Sequence, residues 1–183
     1  MNPNVPNALT LFRVILIPVF AWQIYAQPYF NSIWLALIIF CVASFTDYLD
    51  GALARRHNIV SNFGKIMDPL ADKLLVLTAL ASLCLLEPFR LSWIIFGIIL
   101  IREVLITILR EVYKKRGIIV AADKLGKIKT VMQMLGLIAA FFFWGANYTP
   151  TSVKLAISIW FWLVAAITVI SGANYIFPKP GKR

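Results

Sequence analysis

Six apolar stretches, each near the roughly 20 residues that a helix needs to cross a bilayer, divide this chain and leave little of it for anything else. They occupy residues 8–26, 30–49, 69–86, 91–109, 128–145 and 152–176. Hydrocarbon offers no water to backbone N–H and C=O groups, so a stretch of this kind closes its hydrogen bonds within itself, as a helix. Composition points the same way: 61% of the residues are hydrophobic and 14% are charged, where a soluble domain carries about 25% charged residues. The expected fold is an all-α integral membrane protein, a bundle of six transmembrane helices forming a single domain over 1–183.

The connections alternate in character. Those at 27–31, 87–92 and 145–151 are short and nearly uncharged, whereas 52–68, 111–127 and the tail 179–183 are basic. Lys and Arg are retained on the cytoplasmic side of membrane proteins, so both termini are expected in the cytoplasm. The formal net charge of +10 reads as anchoring against anionic lipid head groups. No basic stripe interleaved with aromatics points to nucleic acid. Residues 1–10 carry no Lys or Arg, and no small-residue cleavage site follows the first apolar run, so that run is expected to be a retained helix. Cys41 and Cys84 sit in apolar runs without metal-pair spacing and read as small buried hydrophobes.

Against this background four aspartates stand out. Asp47, Asp50, Asp68 and Asp72 are half of the eight acidic residues, and the charge pattern puts them at the cytoplasmic ends of the second and third helices. Carboxylates brought together repel one another and raise one another's pKa. Bound divalent cations relieve that, since carboxylate oxygens are the natural ligands of hard ions. The full pattern is Asp47-x2-Asp50-Gly51-x2-Ala54-Arg55-x8-Gly64-x3-Asp68-x3-Asp72. On helices, Asp47 and Asp50 lie about 60° apart, and Asp68 and Asp72 about 40° apart. Gly51 and Ala54 continue the first stripe and let a bulky ligand approach the backbone, and Arg55 offers a fork for phosphate oxygens. Ser61, Asn62 and Gly64 read as a turn. Asp68 before Pro69 has the form of an N-cap followed by proline at the first helical position, a role compatible with metal binding.

This pattern resembles, position for position, the signature of the CDP-alcohol phosphatidyltransferase family. The flanks are similar to the branch of that family that forms phosphatidylglycerophosphate: Pro6 to Arg13, Ile101-Arg102-Glu103, Leu109-Arg110-Glu111 and Gly126 to Thr130. The resemblance implies a six-helix membrane enzyme that moves the phosphatidyl group of CDP-diacylglycerol to sn-glycerol 3-phosphate and releases CMP. It implies a pair of Mg²⁺ or Mn²⁺ ions held chiefly by Asp47, Asp50 and Asp68, with Asp72 contributing. Asp72 is also the candidate general base for the acceptor hydroxyl. Gly51, Ala54 and Arg55 would hold the nucleotide, assisted by Asn7 from the first helix. By analogy with the family, a homodimer in the inner membrane with its active site facing the cytoplasm is expected.

An acceptor that is itself a phosphate monoester needs a second cationic pocket. Arg102 lies well inside the fourth apolar run, where an arginine normally faces the bundle interior or a watery cavity. Arg110 follows about 80° round the same helix, and Lys127 enters from the start of the fifth. These three are the candidates for gripping glycerol phosphate. For Arg110 and Lys127, snorkelling to the interface is the competing role. Lys129 and Thr130 are supporting candidates, and Glu103 and Glu111 are expected to neutralise neighbouring cations. Arg13 either reaches the acidic cluster or snorkels. His57 is assigned no role.

Other readings keep the aspartates. Another acceptor (inositol phosphate, serine or phosphatidylglycerol) would change only the cationic pocket. An intramembrane prenyltransferase binding Mg²⁺-pyrophosphate would need its acidic pairs in separate halves of a longer bundle. A cation channel or transporter would show midplane breaks in paired helices, and the pattern has none.

Overall fold

The computed structural model describes residues 4–26, 30–57, 62–116 and 124–176, with side chains over those ranges except 4–11, 30, 47–57, 62–69, 72, 114–115 and 174–176. The regular structure among the described residues is wholly α-helical: α1 (Asn4–Tyr25), α2 (Phe30–His57), α3 (Asn62–Leu85), α4 (Trp93–Lys115), α5 (Lys124–Gly145) and α6 (Thr151–Ile176). Each apolar stretch becomes one helix. Among the residues described with side chains, Lys124–Gly145 and Thr151–Ala173 are long and apolar enough to cross a membrane, and Phe12–Tyr25, Asn31–Thr46 and Lys73–Leu85 form shorter apolar stretches.

The helices outrun the apolar stretches at their charged ends. α2 continues past residue 49 to His57, and α3 begins at Asn62. Ala52, Leu53, Ala54, Arg55 and Arg56 are strong helix formers, so the helix needs no apolar face to persist through them. Asp68 and Gly64 therefore lie inside α3. The capping role expected of Asp68 and the turn expected at Gly64 do not hold, because the helix has already begun upstream of both. The connection at 58–61 lies outside the described residues.

The chain divides into two compact units. The first comprises Met1–Ser82 with Ala140–Tyr148. Here α1 and α2 pack along each other. Phe20 and Ile24 from α1, and Ile33, Ala36, Phe40 and Ala43 from α2, are buried at helical spacing. Phe20, Phe40 and Phe141 form an aromatic cluster with ring centroids 5.8–6.3 Å apart. The Tyr25 hydroxyl donates to the Thr78 carbonyl in α3 at 3.2 Å. Gly145 accommodates the Trp34 indole, which lies 3.1 Å from where a Cβ would stand. α5 ends in a Schellman motif. Tyr148 N–H donates to the Phe143 carbonyl and Asn147 N–H to that of Trp144, each at 3.0 Å. Asn147 takes the left-handed conformation at φ 51°, and the Phe143 and Tyr148 rings meet at 6.4 Å.

The second unit comprises Leu83–Ala139 with Thr149–Arg183. Ser92 caps α4, its Oγ accepting the Ile94 N–H at 3.3 Å. α4 packs on α6, burying Ile95, Ile99 and Ile106 of α4, with Phe161, Val164 and Ala165 of α6. Gly136 of α5 admits Trp160 of α6: a Cβ there would stand 2.7 Å from the indole Cδ1, and the indole N–H donates to the Met132 carbonyl at 2.9 Å. The outward faces stay apolar, with Ile101 67% and Ile94 63% exposed. Such a surface suits lipid and not water.

Candidate functional site

The acidic stretch belongs to the first unit. Because α2 is unbroken through 47–55 and α3 through 68–72, each aspartate pair falls one helical turn apart, and Gly51 and Ala54 follow Asp47 and Asp50 along the same helix. The side chains of Asn7, Asp47, Asp50, Gly51, Ala54, Arg55, Asp68 and Asp72 lie outside the described residues. Among the described residues there is no group of three or more His, Cys, Asp or Glu side chains able to hold a metal ion. The donor set nevertheless fits a hard divalent ion: four carboxylates, paired at one-turn spacing on two continuous helices. The two cysteines, the soft donors of the chain, are embedded in helices as free thiols, Cys84 buried and Cys41 half-buried. Arg13 of α1 is buried at 1% exposure and engaged within the fold. It does not snorkel.

The cationic candidates belong to the second unit, and its helices sort them into two kinds. Arg102 is drawn inward. Its Nη1 donates to Glu103 Oε1 and its Nη2 to Ser171 Oγ on α6, each at 3.1 Å. The same carboxylate oxygen accepts Lys129 Nζ from α5 at 2.5 Å. The Lys129 side chain is 3% exposed and Glu103 18%. A buried ammonium is tolerated only when paired, and Glu103 provides the pair. Arg110 and Lys127, in contrast, are exposed. Lys127 and Lys129 stand about 200° apart round α5, so when one faces in the other faces out.

The expectation that Glu103 neutralises neighbouring cations is met, with Arg102 and Lys129 as its partners. One participant, Ser171, is not apparent from the sequence, nor is the burial of Gln133. Ser171 is fully buried in α6 next to Arg102, and Gln133 is 2% exposed, one turn beyond Lys129 in α5. Among the described residues Gln133 Nε2 and Arg102 Nε have no hydrogen-bond partner. The legible trace was spacing: Lys129 and Gln133 are four apart, and Thr168 and Ser171 three apart, in otherwise apolar helices.

The chain can be set beside known proteins on this geometry. The family model for CDP-alcohol phosphatidyltransferase matches residues 3–172. Proteins named CDP-diacylglycerol--glycerol-3-phosphate 3-phosphatidyltransferase from Escherichia coli (strain K12), Shigella flexneri serotype 5b (strain 8401) and Shigella boydii serotype 4 (strain Sb227) are each 39% identical over 180 residues. The match covers 96% of this chain and 94% of each of those relatives.

Proposed function

The chain belongs to the CDP-alcohol phosphatidyltransferase family, and on that premise we propose that it transfers the phosphatidyl group of CDP-diacylglycerol to sn-glycerol 3-phosphate, giving phosphatidylglycerophosphate and CMP. One observation carries the choice of acceptor: 39% identity, extending over 96% of the chain, to relatives named for glycerol 3-phosphate. The family match runs from residue 3 to 172, through both compact units, which supports one catalytic domain.

In the proposed reaction the acceptor hydroxyl oxygen bonds to the phosphorus that carries diacylglycerol. The pyrophosphate P–O bond on its far side breaks, its electron pair leaves with CMP, and the hydroxyl proton passes to the Asp72 carboxylate. A base in that role must reach the hydroxyl within hydrogen-bond distance. Asp47, Asp50, Asp68 and Asp72 would hold Mg²⁺ or Mn²⁺. Two such ions, when bound, supply charge neutralisation for the pyrophosphate and for the entering and leaving oxygens. Gly51 and Ala54 leave room for the nucleotide, Arg55 donates to phosphate oxygens, and Asn7 assists. Arg102, Arg110 and Lys127 serve the acceptor phosphate. Arg110 and Lys127 are exposed cations able to meet it directly, and Arg102 is already held by Glu103 and Ser171.

The proposal extends to topology and assembly. All six helices cross the inner membrane, both termini face the cytoplasm together with the aspartates, and the chain works as a homodimer. Basic residues at the ends of α2, α4 and α6 support the orientation, and the homodimer rests on family likeness alone. The decisive experiment incubates the purified chain in detergent with radiolabelled CDP-diacylglycerol and a panel of acceptor alcohols, with and without Mg²⁺. CMP release with glycerol 3-phosphate, dependent on the metal, is the expected result. Preference for serine or an inositol phosphate would sink the acceptor assignment, and free pyrophosphate in place of CMP would sink the family chemistry.

A further inference from the structure

We infer that Glu103 is the positioning residue of the acceptor-phosphate grip, an inference that rests on the glycerol 3-phosphate reading. One carboxylate oxygen, Glu103 Oε1, accepts both Arg102 Nη1 at 3.1 Å and Lys129 Nζ at 2.5 Å. Arg102 passes the tie on through Nη2 to Ser171, at 3.1 Å. A single acidic side chain on α4 thus links α5, through Lys129, and α6, through Ser171. Lys129 and Ser171 are both buried, in helices whose other buried positions are mostly apolar. A shared carboxylate in a low-dielectric setting is strong and directional. It adds to the packing of apolar side chains a directional contact that marks where α5 stands along α4.

The consequence falls on two residues that Glu103 does not need to touch. Arg110 is seven residues beyond Glu103, nearly on the same face of α4 and about 10 Å along its axis. Lys127 is two residues before Lys129, about 3 Å along α5. Both are exposed. Their separation, and so their fit to one phosphate group, is inherited from the register of α5 against α4. Glu103–Lys129 fixes that register from inside. Arg102 and Lys129 take part in the tie, and the acceptor reading assigns the phosphate to the exposed Arg110 and Lys127.

The test is steady-state kinetics of the full chain in detergent, varying CDP-diacylglycerol and glycerol 3-phosphate separately. Glu103→Gln keeps the side-chain volume and removes the charge. The KM for glycerol 3-phosphate is expected to rise roughly tenfold, as both ties that Glu103 makes lose their charge, with the KM for CDP-diacylglycerol unchanged. Glu103→Gln combined with Lys129→Gln restores a neutral hydrogen-bonded pair between α4 and α5 and removes the lysine's stranded charge, while Arg102 keeps Ser171. It is expected to bring the acceptor KM back to within about threefold of the unmodified chain. An acceptor KM unmoved in Glu103→Gln, in a preparation whose unmodified chain turns over glycerol 3-phosphate normally, overturns the positioning role and leaves the acceptor reading standing. Both KM values rising together, without rescue in the double variant, also overturns it, since a general loss of structure acts on both substrates alike. An unmodified chain that releases no CMP with glycerol 3-phosphate overturns the acceptor reading and the inference with it.

Discussion

A lysine 3% exposed in a predominantly apolar helix persists because it is paired, with the Glu103 carboxylate among its partners. Removing one partner of such a pair strands the other, at about 3–5 kcal/mol, so Glu103 and Lys129 stand or fall together. The aspartates carry a different burden, and isosteric changes isolate it. Asp50→Asn or Asp72→Asn keeps volume and helix while removing one charge from the proposed metal site. Either is expected to lower CMP release by about 10²–10³ or more, and full activity in either variant contradicts the metal assignment. Arg110→Ala is expected to leave turnover at saturating acceptor largely intact and raise the glycerol 3-phosphate KM by about 10–100-fold, as measured from initial rates. The acidic residues could be read from the chain because their spacing matches one helical turn. Arg102's fate could not: its depth in the apolar run marked it as inward-facing, but whether it would face a substrate or a protein carboxylate depended on a neighbour in sequence, Glu103, and a distant one, Ser171.

Among the helices, the close approach of α5 and α6 shows what small residues do. Gly136 lets the Trp160 indole reach the Met132 carbonyl at 2.9 Å, and a Cβ at Gly136 would stand 2.7 Å from that ring. The ring is held by its hydrogen bond, and the same Cβ would also stand 3.1 Å from Phe161 Cζ, so there is little freedom to yield. Gly136→Ala is expected to destabilise the protein by about 1–3 kcal/mol, seen as a lower thermal midpoint in detergent. Gly97 of α4 has nothing within 4 Å of its would-be Cβ, and Gly97→Ala is expected to be neutral or stabilising by up to about 1 kcal/mol. Equal effects at the two glycines would refute this account of the packing. The apolar runs located every helix, since hydropathy is a local property. They misjudged where α2 ends and α3 begins, because helix propensity carries the backbone beyond the last apolar residue.

For the whole molecule, the proposed topology makes its own prediction. Enzyme-reporter fusions at Arg183 and within the basic 111–127 stretch are expected to signal the cytoplasm, and fusions in the connection at 146–150 the opposite side. Any reversal contradicts the orientation and the placing of the aspartates at the inner face. The amino-acid sequence by itself determined that the chain is helical, that its outer surface suits lipid, that its charges gather at alternate connections and that its acids recur at one-turn intervals. All of these are properties of a few residues at a time. Only the tertiary structure decided that Lys129 turns inward while Lys127 turns out, and that Arg102 is shared between Glu103 and Ser171. Those choices are made by groups 26 and 69 residues apart in the chain, whose meeting depends on how whole helices pack, which periodicity along one helix does not encode.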